Sequence, residues 1–246
     1  MQTSSPREVL VERAAFLKRI PFFANLQEEK LRLIADDFHQ RSFKRGATIF
    51  RQEAHGRVMF IIREGKIRIF KLTLAGGETS VEILSVGGVF GEFAAIDGLP
   101  RSAEAKAISP CTLLQIDGNQ LLRRMQEIPE LGIAMTRLLI QKLRWTTDFA
   151  ETVAQYNAAG RLLHILLFYN SQFGCEIEPG KKYELALGLN QTDLASLVGA
   201  HREWVNRLLK QWRGEGLLAY EHGTIVILDL EKVTRERDSC IEANRQ

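Results

Sequence analysis

Between Gly91 and Ser102, within twelve residues, stand a glycine, the carboxylate of Glu92, the guanidinium of Arg101 and the hydroxyl of Ser102. Arginine suits a phosphate because its planar fork donates hydrogen bonds in pairs. Glu92 is an acceptor that can hold a sugar hydroxyl, and Gly91 lets main-chain N–H groups come close to a ligand. With Phe93 and Ala103 beside them, these residues have the chemistry of a pocket for a small cyclic phosphodiester. The bland alternative is a structural loop with an exposed Arg–Glu pair.

A second set stands near the other end. Arg202 to Arg213 reads as a helix with Val205, Leu208, Leu209 and Trp212 turned inward, and with Arg202, Glu203, Asn206, Arg207 and Lys210 on the opposite face. Arginine donates twice to guanine O6 and N7, and glutamate accepts from cytosine N4. Ahead of it, Asn190-Gln191-Thr192-Asp193 is a cap followed by an acid, opening a short helix with Leu194, Leu197 and Val198 on its core side. Gly199 supplies the turn. Helix, turn and polar-faced helix make a helix-turn-helix, and the runs flanking Glu221-His222-Gly223 read as its wing. A solvated charged helix face is the plain alternative.

The elements that must position these groups differ along the chain. The first part is β: Phe43, Ile49-Phe50, Val58 to Ile62, Ile67 to Phe70, Val81 to Leu84 and Leu113 to Ile116 are short β-prone runs. Turns at Arg45-Gly46, Glu64-Gly65, Ala75-Gly76-Gly77, Val86-Gly87-Gly88 and Asp117-Gly118 punctuate them. Many short strands predict a sandwich or barrel, here a double-stranded jelly roll. Gln27 to Phe38 reads as an amphipathic helix ahead of it. From Ile128 to Gln155 the period lengthens, and Met135, Leu139, Leu143, Thr146, Ala150 and Val153 trace one face of a long helix. One jelly roll cannot cover that seam, so a homodimer is expected. Asn157 caps the next helix, Ala158 to Phe168.

The phosphate-type stretch resembles the cassette of cyclic-nucleotide-binding domains, and with the C-terminal motif the chain resembles the cyclic-AMP receptor protein (catabolite activator)/FNR superfamily of bacterial transcription regulators. Resemblance covers residues 20 to 230. It implies an α+β protein in three parts: a β-roll sensor over 1–127, a dimerisation helix over 128–156 and a winged helix-turn-helix DNA-binding domain over 157–246. It implies that Arg101 pairs with the cyclic phosphate, Glu92 with the ribose 2′-hydroxyl, and the N–H groups around Gly91 and the Ser102 hydroxyl with phosphate oxygens. Counting back from Gly160-Arg161, Thr146 and Thr147 align with the family's adenine-reading hydroxyl pair, Thr147 reaching from the other subunit. Arg202, Glu203 and Arg207 match the three base-reading positions, implying an inverted repeat with TGTGA-like half-sites. Asn190, Thr192, His201, Asn206 and Lys210 join the expected DNA-binding set. The chain departs from the family at His201 and Trp204, where small hydroxyl residues are common, so the cap of the recognition helix should be weak.

The expected function is therefore a homodimeric transcription regulator, not an enzyme, with cyclic AMP as allosteric effector and no metal. Its expected partners are double-stranded DNA and RNA polymerase. The rival keeps fold and DNA binding but is effector-independent or senses redox state, haem or another metabolite; His39, His55 and Cys111 are its candidate ligands. Cysteines at 111, 175 and 240 show no metal or disulfide spacing. A net charge of +3 is too mild to prove a nucleic-acid partner. Met1 to Ile20 is amphipathic, so no signal peptide is expected. No apolar run is long enough to span a bilayer, and a cytoplasmic location without membrane contact is expected.

Overall fold

A computed structural model describes residues 6–73 and 76–241. The turn expected at Ala75-Gly76-Gly77 thus lies partly outside the described residues. The chain divides into two compact units, one within Met1–Gly76 and Val81–Leu143, the other within Gly77–Ser80 and Arg144–Gln246.

The first unit opens with α1 (Pro6–Lys18) and α2 (Glu28–Asp37). Strands β1 (His39–Phe43), β2 (Thr48–Phe50), β3 (Val58–Glu64), β4 (Ile67–Leu72), β5 (Glu78–Leu84, whose first three residues are grouped with the second unit) and β6 (Val89–Phe90) follow. After the short helix α3 (Glu92–Asp97) come β7 (Glu104–Ala107), β8 (Cys111–Asp117) and α4 (Gly118–Glu127). Two four-stranded sheets result, ordered β1-β8-β3-β6 and β2-β7-β4-β5. This is the expected jelly roll.

Strand β3 shows how the sequence builds it. Successive side chains of a strand point to opposite faces, and here both faces are covered. Phe60 and Ile62 join an interior cluster with Ile67, Phe90, Ala105 and Leu113. Met59 and Ile61 join a second cluster with Leu17, Phe23, Leu31 and Ile34 from the helical side. The N-terminal helix α1 is therefore structural, with Leu17 fully buried. Strands β6 and β7 escaped sequence reading because one has two residues and the other reads Glu-Ala-Lys-Ala.

Helix α5 (Pro129–Gln155) runs from one unit into the other. Pro129 suits a first helical position, where its missing N–H leaves nothing unpaired. The expected seam needs correction here. Met135 is 2% exposed and, with Leu139, packs on the helix-side cluster of its own unit. The large apolar residues left exposed on α5 are Ile133, Ile140, Leu143 and Val153, and Ala150 and Ala154 are exposed as well.

In the second unit, Asn157 caps α6 (Ala158–Phe173), its Oδ1 accepting from Gly160 N–H at 3.0 Å. Then follow β9 (Cys175–Glu178), β10 (Lys182–Leu185), α7 (Gln191–Val198), α8 (Arg202–Gly214), β11 (Leu218–Glu221), β12 (Thr224–Ile227) and α9 (Leu230–Ser239). The sheet order β11-β12-β10-β9 extends the two-stranded wing expected from sequence. Helix α9 packs on α6 through buried Val233. Among the described residues no helix is long and apolar enough to cross a membrane.

Candidate nucleotide pocket and nucleic-acid interface

The cassette residues come together at the edge of the roll. Gly91 ends β6 in a left-handed conformation, φ +77°, and a Cβ there would lie 2.8 Å from both Val58 O and Arg101 Nη1. Only glycine fits this turn. Arg101 is 4% exposed. Its Nη1 donates to Gly91 O and its Nη2 to Val58 O, each at 2.8 Å. Its guanidinium carbon sits 4.2 Å from the Phe50 ring centroid, a cation–π arrangement. Burial lowers the Arg101 pKa and Glu92 opposes that shift, yet a guanidinium stays charged in proteins. Among the described residues no carboxylate lies within ion-pairing distance of it. This buried cation has two carbonyls and aromatic faces beside it and feels the Glu92 charge, but makes no direct ion pair among the described residues.

Glu92, 3% exposed, meets a residue that sequence reasoning missed. Lys142 Nζ on α5 lies 3.1 Å from Glu92 Oε1 and 3.6 Å from Glu82 Oε2, and donates to Val89 O at 3.0 Å. Burial works against the Lys142 charge, but Glu92 and Glu82 outweigh it and hold the ammonium above the usual lysine range. Burial pushes the Glu82 carboxyl up, with Lys142 opposing. No local spacing marked Lys142, because it lies far downstream on a helix otherwise read for its apolar face.

The remaining cassette residues surround these groups. Ala103 is buried, whereas Phe93 and Ser102 are exposed. Thr146 and Thr147 are exposed on α5 and belong to the second unit, so the cassette group assembled within the first unit does not include them.

The helix-turn-helix takes its expected form. Asn190 and Asp193 make a reciprocal capping box: Asn190 Oδ1 accepts from Asp193 N–H at 2.9 Å and Asp193 Oδ2 from Asn190 N–H at 3.0 Å. Gly199 turns the chain at φ +67°. His201 is the N-cap of α8 and gives no side-chain cap bond, so that cap is weak, as expected. Val205, Leu209 and Trp212 are buried, while Leu208 is half-buried. Arg202, Glu203, Arg207, Lys210, His201 and Thr192 are exposed. Two of the expected DNA-binding residues also make hydrogen bonds within the domain. Asn190 Oδ1 is committed to its cap, and half-buried Asn206 accepts from Gln191 Nε2 at 3.2 Å, tying α8 to α7. His222 and Gly223, both at positive φ, make the two-residue turn of the wing.

Cys111, Cys175 and Cys240 are free thiols. Among the described residues no group of three His, Cys, Asp or Glu side chains is placed to hold a metal ion.

Comparison with known proteins agrees with this geometry. Residues 40–127 match the cyclic nucleotide-binding domain family, and residues 160–236 match the Crp-like helix-turn-helix domain family. A CRP-like cAMP-activated global transcriptional regulator of Mycobacterium tuberculosis is 27% identical over 89% of this chain and 97% of its own. The cyclic AMP receptor protein of Thermus thermophilus is 27% identical over 86% of this chain and 94% of its own. A crystal structure of a CRP/FNR-family transcriptional regulator, also from Thermus thermophilus, superposes with a TM-score of 0.67 at 26% identity, covering 82% of this chain and 100% of that one. The chain is a transcription regulator built from a cyclic-nucleotide-binding roll and a helix-turn-helix, not an enzyme. It belongs to the CRP/FNR family.

Proposed function

We propose that this protein is a homodimeric regulator that binds cyclic AMP at the roll and an inverted repeat with TGTGA-like half-sites through α8. The buried Arg101 guanidinium, without a direct ion pair among the described residues and beside a glycine that keeps the approach open, carries the ligand reading. A cyclic phosphate supplies the missing charge, while the buried Glu92 carboxylate accepts from the ribose 2′-hydroxyl. Ser102 adds a hydroxyl to the phosphate, and Thr146 and the other subunit's equivalent of Thr147 read the base. A ribose hydroxyl at Glu92 competes with Lys142, and Lys142 belongs to α5. Occupancy therefore changes how α5 is held, and α5 supplies the proposed dimer seam. An effector shifts an equilibrium only through its different affinity for the two states.

On the DNA side, Arg202, Glu203 and Arg207 project from an exposed helix face whose opposite side is anchored by buried Val205, Leu209 and Trp212. Lys210 is the phosphate contact. The two α8 helices of a dimer read successive major grooves. RNA polymerase is the partner expected at a bound promoter, and the cytoplasm the place for such a regulator.

One observation favours a second reading. Glu92 pairs with Lys142, and Arg101 has two main-chain acceptors, so both groups have partners within the protein itself. That suits an effector-independent regulator, or one sensing another signal. Calorimetry of the full chain with cyclic AMP separates the two. Heat that vanishes in Arg101→Ala supports the first, and no heat with any cyclic nucleotide leaves only the second.

A further inference from the structure

Glu82 on β5 is a half-buried acid that the nucleotide reading leaves without a role. Its Oε2 lies 3.6 Å from Lys142 Nζ, and the same ammonium lies 3.1 Å from Glu92 Oε1. One cation on α5 is thus shared by two acids, one on a strand and one on the cassette helix α3. Both acids, the lysine and Val89 belong to the first unit.

The two contacts are unequal. At 3.1 Å the ammonium is within hydrogen-bond reach of Glu92, whereas at 3.6 Å it attracts Glu82 without a hydrogen bond. A third acceptor, Val89 O at 3.0 Å, is neutral and helps to hold Nζ. Burial pushes the Glu82 carboxyl up, Lys142 opposes that rise and the Glu92 charge adds to it. The Glu82 charge is therefore only partly compensated, and a closer ammonium would suit it.

Exposure decides what must move when a ligand arrives. The Glu92 side chain is 3% exposed, against 19% for Lys142 and 24% for Glu82. A hydroxyl reaches the Glu92 carboxylate only if a group over it moves. The ammonium on Oε1 is the group with a second carboxylate within reach. Displacing it to a place without a counter-charge would leave a buried cation uncompensated. Glu82 removes that penalty. Resting on the cyclic-nucleotide reading above, we propose that Glu82 is a positioning residue for the effector: as the ribose 2′-hydroxyl donates to Glu92, Lys142 Nζ passes from Glu92 to Glu82. No proton changes owner in this exchange. It unties α5 from α3 and ties it to β5, and only a nucleotide with a 2′-hydroxyl drives it.

Calorimetry of the full-length chain with cyclic AMP and with 2′-deoxy cyclic AMP tests the exchange. Glu82→Gln should weaken cyclic AMP by about tenfold and leave the 2′-deoxy nucleotide within about twofold of its affinity for the unaltered chain. A general change in the charge or packing of the pocket would instead move both nucleotides together. Glu82→Asp keeps the carboxylate and should recover part of the loss. A crystal structure of the unaltered chain with cyclic AMP needs no variant, and decides alone should Glu82→Gln fail to fold: Nζ is expected within hydrogen-bond distance of a Glu82 oxygen. Equal weakening of both nucleotides, unchanged cyclic AMP affinity in Glu82→Gln, or Nζ still on Glu92 Oε1 in the bound chain overturns the proposal. No heat from cyclic AMP overturns the cyclic-nucleotide reading itself, and the proposal with it.

Discussion

Replacing Lys142 by Met would leave Glu92, 3% exposed, without the ammonium that now meets it at 3.1 Å. Removing one partner of a buried pair leaves an uncompensated charge and costs about 3–5 kcal/mol. Urea unfolding should show that loss, and Glu92→Gln in the same chain should return much of it, because a neutral amide needs no counter-charge. A single Lys142→Met as stable as the unaltered chain would show that the pair carries no stability. His164 gives a second outcome at this scale. Its folded pKa lies below the usual 6.5, first through burial and then through Arg237. Its contribution to stability is therefore present above about pH 6.5 and lost as pH falls through the lower folded value. His164→Gln should flatten the decline in Tm between about pH 7 and pH 5.

Residue types in the cassette were legible because Gly91, Glu92, Arg101 and Ser102 lie close in sequence and their chemistry is local. Their partners were not. Val58 O, Phe50 and Lys142 reach the same place only through sheet pairing and helix packing, which no single spacing encodes. The hydrogen bonds of Asn190 and Asn206 within the domain went unread for a related reason. An amide beside a helix start serves a cap or a neighbouring helix as readily as a base edge.

At the scale of elements, α5 shows where periodicity stops short. Apolar residues recur every three or four positions on two sides of it, because its first half covers its own unit and also presents a stripe outward. The step pattern alone does not say which side is which. Met135 and Leu139 belong to the internal core, whereas Ile133, Ile140 and Leu143 stay exposed. Leu143, 66% exposed, is therefore the better probe of the proposed dimer. Leu143→Glu puts an unpaired charge into an apolar seam and should shift sedimentation from dimer to monomer at micromolar concentration. An unchanged dimer would move the interface off this stripe. Helix α8 separates base reading from phosphate holding. Arg207→Ala should cost about 1–3 kcal/mol and relax preference at one base position, while Lys210→Ala should weaken all sequences alike and reduce the salt slope. Selection from random DNA checks the first, and salt titration of binding the second.

At the scale of the whole molecule, the order of a β-rich stretch, a long helix and a helix-turn-helix with wing was readable because each has its own hydrophobic period and turn residues. The elements left out were those with little apolar content or no motif. Strand β9 exposes all four of its residues, and α9 buries Val233 alone among its ten. The N-terminal stretch read as amphipathic, but helix α1 and its role in covering the roll follow only from the structure, in the packing of Leu17 beside Phe23 and Ile61.

The central claim is that a nucleotide held by Arg101 and Glu92 changes the affinity of α8 for DNA. Equilibrium binding to a TGTGA-type inverted repeat, at fixed salt, with and without saturating cyclic AMP, tests it most directly. Coupling of this kind is typically about 1–3 kcal/mol, roughly a 5- to 150-fold rise in affinity. The rise should appear in the unaltered chain and disappear in Arg101→Ala, whose weak non-specific binding remains. Equal affinity with and without cyclic AMP in the unaltered chain would contradict the account.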